Sequence, residues 1–186
     1  MAAERDSQSL PADLPIPEDD GAAAHLRGRA LPAIALPATT GGSVDLAALP
    51  GRVVVFAYPR TGRPDDPPGP DWDAIPGARG CTPEVCSIRD EIVRFDALGV
   101  TVAGLSAQTA EDQREAATRL GLPYPLLSDA EGELARALEL PTFSWRGLTL
   151  LRRLTLLARD GVIEDVLYPV FPPDRAAADV LERLAR

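Results

Sequence analysis

From about residue 28 onward the apolar positions of this chain recur with two periods, those of strands and of helices. RALPAIALPATTGGSVDLAALPG alternates apolar and polar positions around Gly41-Gly42 and predicts two short strands joined by a turn. Val53 to Tyr58 is an unbroken apolar run closed by Pro59, the pattern of a central strand buried on both faces. In CTPEVCSIRDEIVRF the stripe Val85, Ile88, Ile92, Phe95 has helical spacing. Thr82 is the expected N-cap, Pro83 the first helical position, and Gly99 the stop. VTVAGLSA is a second buried strand. TAEDQREAATRLG is a helix capped by Thr109 and ended by Gly121. A short strand (YPLLSD) and a short helix (AEGELARALEL, halted by Pro141) follow. RRLTLLARDGVIEDVLYPV reads as a hairpin turning at Arg159-Asp160-Gly161, and a last amphipathic helix starts near Asp174.

The predicted order is β-β-β-α-β-α-β-α-β-β-α. It implies an α/β fold with a central mixed sheet and helices on both faces. Residues 1–27 are proline-rich and acidic and are expected to form a flexible arm ahead of a single domain over 28–186. Residues 60–80, RTGRPDDPPGPDWDAIPGARG, interrupt the pattern as a long inserted loop, with Trp72 and Ile75 expected to pin it to the body.

The 186 residues carry a net charge of −9, which argues against nucleic-acid and anionic-membrane partners. No run approaches the roughly 20 apolar residues of a membrane span. The first residues lack the basic and apolar regions of an export signal, so a cytoplasmic setting is expected. Two cysteines in a reducing compartment point to reactive thiols rather than a structural disulfide. No metal and no cofactor is expected: the single histidine, His25, lies in the arm, and the cysteine spacing is not that of a zinc site.

Cys81 and Cys86 sit five residues apart at the expected start of a helix. Exposed N–H groups and the helix dipole there favour a thiolate, so a lowered pKa is expected for Cys81. In an intact helix residues five apart have Cα atoms roughly 8–9 Å apart, and a disulfide needs less than about 7 Å. The pair can bridge only if the first turns unwind. That suits a thiol that reacts with an oxidant first and is captured afterwards. The plain alternatives are a surface thiol at Cys81 and a small buried hydrophobe at Cys86.

The residues around the pair resemble the peroxiredoxins, in particular the bacterioferritin-comigratory, or Q-type, branch. The matching features are Tyr58-Pro59 after a strand, Gly80-Cys81-Thr82, Cys86-Ser87-Ile88-Arg89-Asp90, and Arg153-Leu154-Thr155 ahead of Asp160-Gly161. An opening like the family's spans 32–51, and the likeness covers roughly residues 28–186. The resemblance implies a thioredoxin-like fold and a thiol peroxidase acting on hydrogen peroxide and organic hydroperoxides. Cys81 would be the peroxidatic and Cys86 the resolving cysteine, with thioredoxin or a similar dithiol as reductant. Arg153 would stabilise thiolate and peroxide, with Pro59 and Gly80 in support. Strand alternation separates Arg153 from its neighbour Arg152. The implied assembly is a monomer or weak homodimer. A non-enzymatic redox sensor, and a one-cysteine peroxidase in which Cys86 only packs, are the rival readings.

The chain departs from the family pattern at one point. Where the family carries a proline seven residues and a hydroxyl three residues before the peroxidatic cysteine, this chain has Ala74 and Ala78. Thr61 either supplies that hydroxyl or is a plain loop threonine. Backbone N–H groups of Gly80 and Cys81 are further candidates.

Overall fold

In the computed structural model, residues 10, 11 and 13–185 are described. The continuous apolar run becomes β3 (Arg52–Ala57), which follows the short antiparallel pair β1 (Ala35–Pro37) and β2 (Ser43–Asp45). A short helix α1 (Pro70–Asp73) lies inside the inserted loop, and α2 (Cys81–Ala97) follows it. Then come β4 (Val100–Ser106), α3 (Ala110–Leu120), β5 (Leu126–Ser128) and α4 (Glu133–Leu138). A hairpin of β6 (Thr142–Trp145) and β7 (Leu148–Leu151) precedes β8 (Leu154–Arg159), β9 (Val162–Leu167) and α5 (Ala176–Leu184).

The central sheet has five strands in the order β5-β4-β3-β8-β9. β3 runs parallel to β4 and antiparallel to β8, so it lies in the middle of a mixed sheet. Its alternate residues feed two cores. Val53, Val55 and Ala57 pack with Leu134 and Leu138 of α4, with Leu36 of β1 and with Leu26. Val54, Phe56 and Tyr58 pack with Val85, Ile88 and Phe95 of α2 and with Val180 and Leu181 of α5. The unbroken apolar run from Val53 is thereby accounted for: both faces are covered by helix.

Three differences from the sequence reading concern local geometry. The Glu84 N–H already bonds the Gly80 carbonyl at 3.0 Å, so α2 opens at Cys81 and Thr82 lies inside it rather than capping it. The later part of the expected arm is packed: Leu26 and Ala23 are buried in the core, and the Tyr168 hydroxyl donates to Asp20 Oδ1 at 2.9 Å. Residues 1–9 and 12 of that arm lie outside the described residues. The β6–β7 hairpin is the third. It turns through Arg146 (φ 47°) and Gly147 (φ 78°), the doubly left-handed geometry of a tight two-residue hairpin turn.

That hairpin explains the inserted loop. Trp72 of α1 is buried edge-on to Trp145, centroids 4.8 Å apart, with Ala78, Leu150, Ile75 and Phe143 around them. Asp71 accepts from Trp145 Nε1 at 2.8 Å and from Arg146 at 2.8 and 3.0 Å. Trp72 and Ile75 do pin the loop, and the surface they grip is the β6–β7 hairpin. The loop delivers Cys81 to the first turn of α2 from a small core of its own.

Candidate active site

Cys81 stands at the first position of α2, on the face of the sheet that carries Phe56 and Tyr58, and its thiol is buried. Gly80 makes this approach possible. Its φ of +106° is in the region that side chains avoid, and a Cβ there would sit 2.3 Å from Pro173 Cγ. Gly80→Ala is expected to cost about 1–3 kcal/mol through this overlap and to displace Cys81. Comparison of denaturation midpoints checks it, and an unchanged midpoint would contradict it.

Arg153 immediately precedes β8. Along this strand Leu154, Leu156 and Ala158 belong to one core and Leu157 to the other, so Arg153 and Thr155 share the face of Cys81. Arg153 is 3% exposed. Its Nη1 is ion-paired with Glu84 Oε2, and its Nη2 donates to Cys81 Sγ at 3.3 Å and to the carbonyls of Gly77, Ala78 and Arg79 at 3.2, 3.2 and 3.3 Å. Arg152 points elsewhere, its guanidinium 5.8 Å from the Phe143 ring. The alternation that separates the two arginines in the sequence holds in the structure.

The thiol donates to the Ala78 carbonyl at 3.6 Å, and the backbone N–H of Arg60 also bonds the sulfur. Burial pushes the Cys81 pKa up, Arg153 pulls it back, and the Glu84 carboxylate pushes it up again; the net is above the ordinary thiol value. The lowered value expected from the helix start alone is therefore corrected. The site is buried, and it holds a second acid that competes for the one guanidinium.

Glu84 is that second acid, and the sequence reading does not single it out. It is fully buried, and burial pushes its carboxyl up to about 7 against the pull of Arg153. Its signal in the sequence is an acid three residues after Cys81 between the apolar Pro83 and Val85, because a helix puts positions three apart on one face.

Thr61 is also buried, but Gln108 holds it. Its N–H and its hydroxyl donate to Gln108 Oε1 at 2.8 and 3.2 Å, and Gln108 Nε2 returns a bond to its carbonyl. The group next to Cys81 from this turn is the Arg60 N–H, one residue earlier. The Pro59 carbonyl accepts from Ser106 Oγ at 3.0 Å, which ties the same turn to the end of β4. Cys86 lies one turn further along α2, buried, in the field of Arg89, Asp90 and Arg119, and burial pushes its thiol up as well. No disulfide joins the two cysteines, and α2 runs unbroken through both. His25 Nε2 shares a hydrogen bond with the Leu138 carbonyl, away from the cysteines. No helix among the described residues is long and apolar enough to cross a membrane.

Known proteins show the same arrangement of chain. A chloroplastic peroxiredoxin Q of rice (Oryza sativa subsp. japonica) is 28% identical over 159 residues, 85% of this chain and 66% of the rice protein. Peroxiredoxin bcp1 of Schizosaccharomyces pombe is 34% identical over 114 residues, 60% of this chain and 50% of that one. The chain thus spans just under two thirds of the rice relative's length. The crystal structure of peroxidoxin BcpB from Mycobacterium tuberculosis superposes with a TM-score of 0.69 at 28% identity, covering 86% of this chain and 96% of that one. The fold is the thioredoxin-like fold of these peroxiredoxins. The Redoxin family profile matches residues 26–182, from the packed end of the arm to the last helix, and this chain belongs to the redoxin family.

Proposed function

We propose that the protein is a thiol peroxidase that reduces hydrogen peroxide and organic hydroperoxides. Cys81 is the peroxidatic cysteine and Cys86 the resolving one, and a thioredoxin-like dithiol restores the pair. The observation that carries this reading is the buried Arg153 guanidinium donating to Cys81 Sγ at 3.3 Å. A fixed cation at that distance stabilises the thiolate and the negative charge that develops as the O–O bond breaks. The Arg60 N–H supplies a second fixed dipole at the sulfur. Peroxiredoxin names among the relatives support the same reading. A reducing compartment such as the cytoplasm suits two thiols kept apart by an intact helix.

Steady-state hydroperoxide consumption with a thioredoxin system tests it, using hydrogen peroxide and an organic hydroperoxide in parallel. The wild-type protein is expected to turn over many times and Cys81→Ser not at all. A burst of about one equivalent without turnover would instead assign the pair to a redox sensor. Equal consumption by Cys81→Ser would remove the proposed nucleophile.

A further inference from the structure

The segment from Leu10 to Asp20 touches the turn that carries Cys81. A Cβ placed on Gly80 would stand 3.0 Å from Leu10 Cδ2, besides its overlap with Pro173, and one on Gly77 would stand 3.4 Å from Pro17 Cβ and Cγ. Leu10 and Pro17 therefore press on the α-carbons of a turn whose carbonyls, at Gly77, Ala78 and Arg79, are held by Arg153. Pro15 and Pro17 fix φ at two positions of the segment and keep it extended. Its far end is anchored, where Asp20 accepts from the Tyr168 hydroxyl and Ala23 and Leu26 enter the core. Between anchor and turn it is loosely seated. A cavity of about 330 Å³ is lined there by Ile16, Pro17 and Glu18 together with Gly77, Phe143 and Arg152, and Ile16 is 70% exposed. Side chains that line a void have forfeited part of their packing attraction. A segment that grips a turn at two points around a void parts from it at low cost.

We propose that residues 10–20 are a strap that holds the Cys81 turn in the geometry that meets peroxide and that lifts when Cys86 bonds Cys81. The inference rests on the reading of Cys86 as the resolving cysteine. Resolution joins Cys86 Sγ to the sulfenic sulfur of Cys81. The S–S bond forms, the S–O bond breaks, and the oxygen leaves as water with the Cys86 thiol proton. The first turns of α2 must open for this, and Gly80 moves with Cys81 as its chain neighbour. Gly80 leaves its place only by parting from Leu10 and Pro173. Pro173 is buried just ahead of α5, whereas Leu10 is half-buried, so the strap is the side of this clamp that yields. The strap opposes opening, and opening removes the seat of the strap. The coupling is reciprocal: what the strap adds to the closed turn, the disulfide takes from the seated strap.

The test uses the full chain. Leu10→Ala combined with Pro17→Gly weakens both contacts without altering Cys81, Cys86 or Arg153. After one equivalent of hydroperoxide this variant should form the Cys81–Cys86 bond about tenfold faster than wild type, while the first oxidation of Cys81 keeps its rate. Tyr168→Phe, which loosens only the anchor, should speed bond formation by a smaller factor. Equal rates of bond formation in wild type and double variant would overturn the strap. So would a variant that changes both steps alike, because that is the mark of general loosening. A second measurement needs no substitution. A glutamate-specific protease should cut after Glu18 about fivefold faster in the disulfide form than in the reduced form. Equal cutting of the two forms would overturn the strap even if the double variant fails to fold. Wild-type protein that is oxidised at Cys81 but never joins it to Cys86 is a different result: it would end the resolution reading itself, and this inference with it.

Discussion

Arg153→Ala is expected to destabilise the protein by about 3–5 kcal/mol at neutral pH and above, and to slow Cys81 oxidation at least tenfold, about 1.4 kcal/mol of lost transition-state stabilisation. The stability cost follows from burial rather than from the chemistry. Arg153 and Glu84 are 3% and 0% exposed, so removing the cation leaves Glu84 buried without its counter-charge and forces its carboxyl to take up a proton as the protein folds. The sign of the pH dependence is fixed by Glu84. Its folded pKa, already raised to about 7, must rise further without Arg153, while its unfolded value stays ordinary. Below the ordinary carboxyl value Glu84 is protonated in both states and its charge costs nothing. Above it the variant loses about 1.4 kcal/mol per pH unit, until the folded pKa is passed. Urea denaturation at acid and at neutral pH checks this. The double variant Arg153→Ala with Glu84→Gln should lose most of the pH dependence. Arg152→Ala, half-buried against Phe143, should change stability by less than about 1 kcal/mol and serves as the control. Equal effects of the two arginines would mean that the buried ion pair does not have this role.

Cys86→Ser is expected to leave the first oxidation of Cys81 near its wild-type rate and to abolish dithiol-linked turnover. The reason is the geometry of α2. With the helix intact, the two thiols are too far apart to bond, so resolution requires its first turns to open. The opening breaks the Arg153–Glu84 pair and the 2.8 Å bond from the Tyr124 hydroxyl to the Val85 carbonyl, and it exposes the fully buried Val85. Loss of the Val85 contact alone is worth about 1.5–3 kcal/mol, and each neutral hydrogen bond about 1 kcal/mol net. Such a cost keeps the reduced helix closed. On the proposed reading the disulfide offsets it once sulfenic acid has formed. Stopped-flow oxidation together with steady-state turnover separates the two steps. Full turnover by Cys86→Ser would leave Cys86 as packing only and make this a one-cysteine enzyme.

Much of this was legible in the sequence because strong local patterns and tertiary packing agree. The unbroken apolar run at 53–58 could only be a central strand, and Thr109 and Gly121 bracket α3 by their own capping chemistry: Thr109 Oγ1 accepts from the Asp112 N–H, and Gly121 is left-handed. Strand alternation correctly separated Arg153 from Arg152. The β6–β7 hairpin was not legible. Its strands are four residues each with several exposed positions, and its order depends on Trp72, Trp145 and Asp71 meeting across more than seventy residues. The packed end of the arm was hidden for a related reason: two buried side chains, Ala23 and Leu26, outweigh a polar, proline-rich composition. The Cys81 pKa was misread because a helix start is a local signal, whereas burial and the Glu84 charge come from the assembled site. Thr61 shows the same limit. A loop threonine of no evident purpose is buried by Gln108, a residue outside any motif used to find it.

The central claim is that Cys81 reacts within an intact helix and is resolved by Cys86 in an unwound one. The most direct measurement is amide hydrogen exchange across residues 80–90 in reduced protein and in protein oxidised with one equivalent of hydroperoxide, with peptide mapping of the disulfide in the same samples. The expected result is a Cys81–Cys86 bond with faster exchange confined to this segment, while β3, β4 and β8 stay equally protected. A Cys81–Cys86 bond with unchanged protection of the segment, or oxidised protein in which that bond never forms, would contradict it.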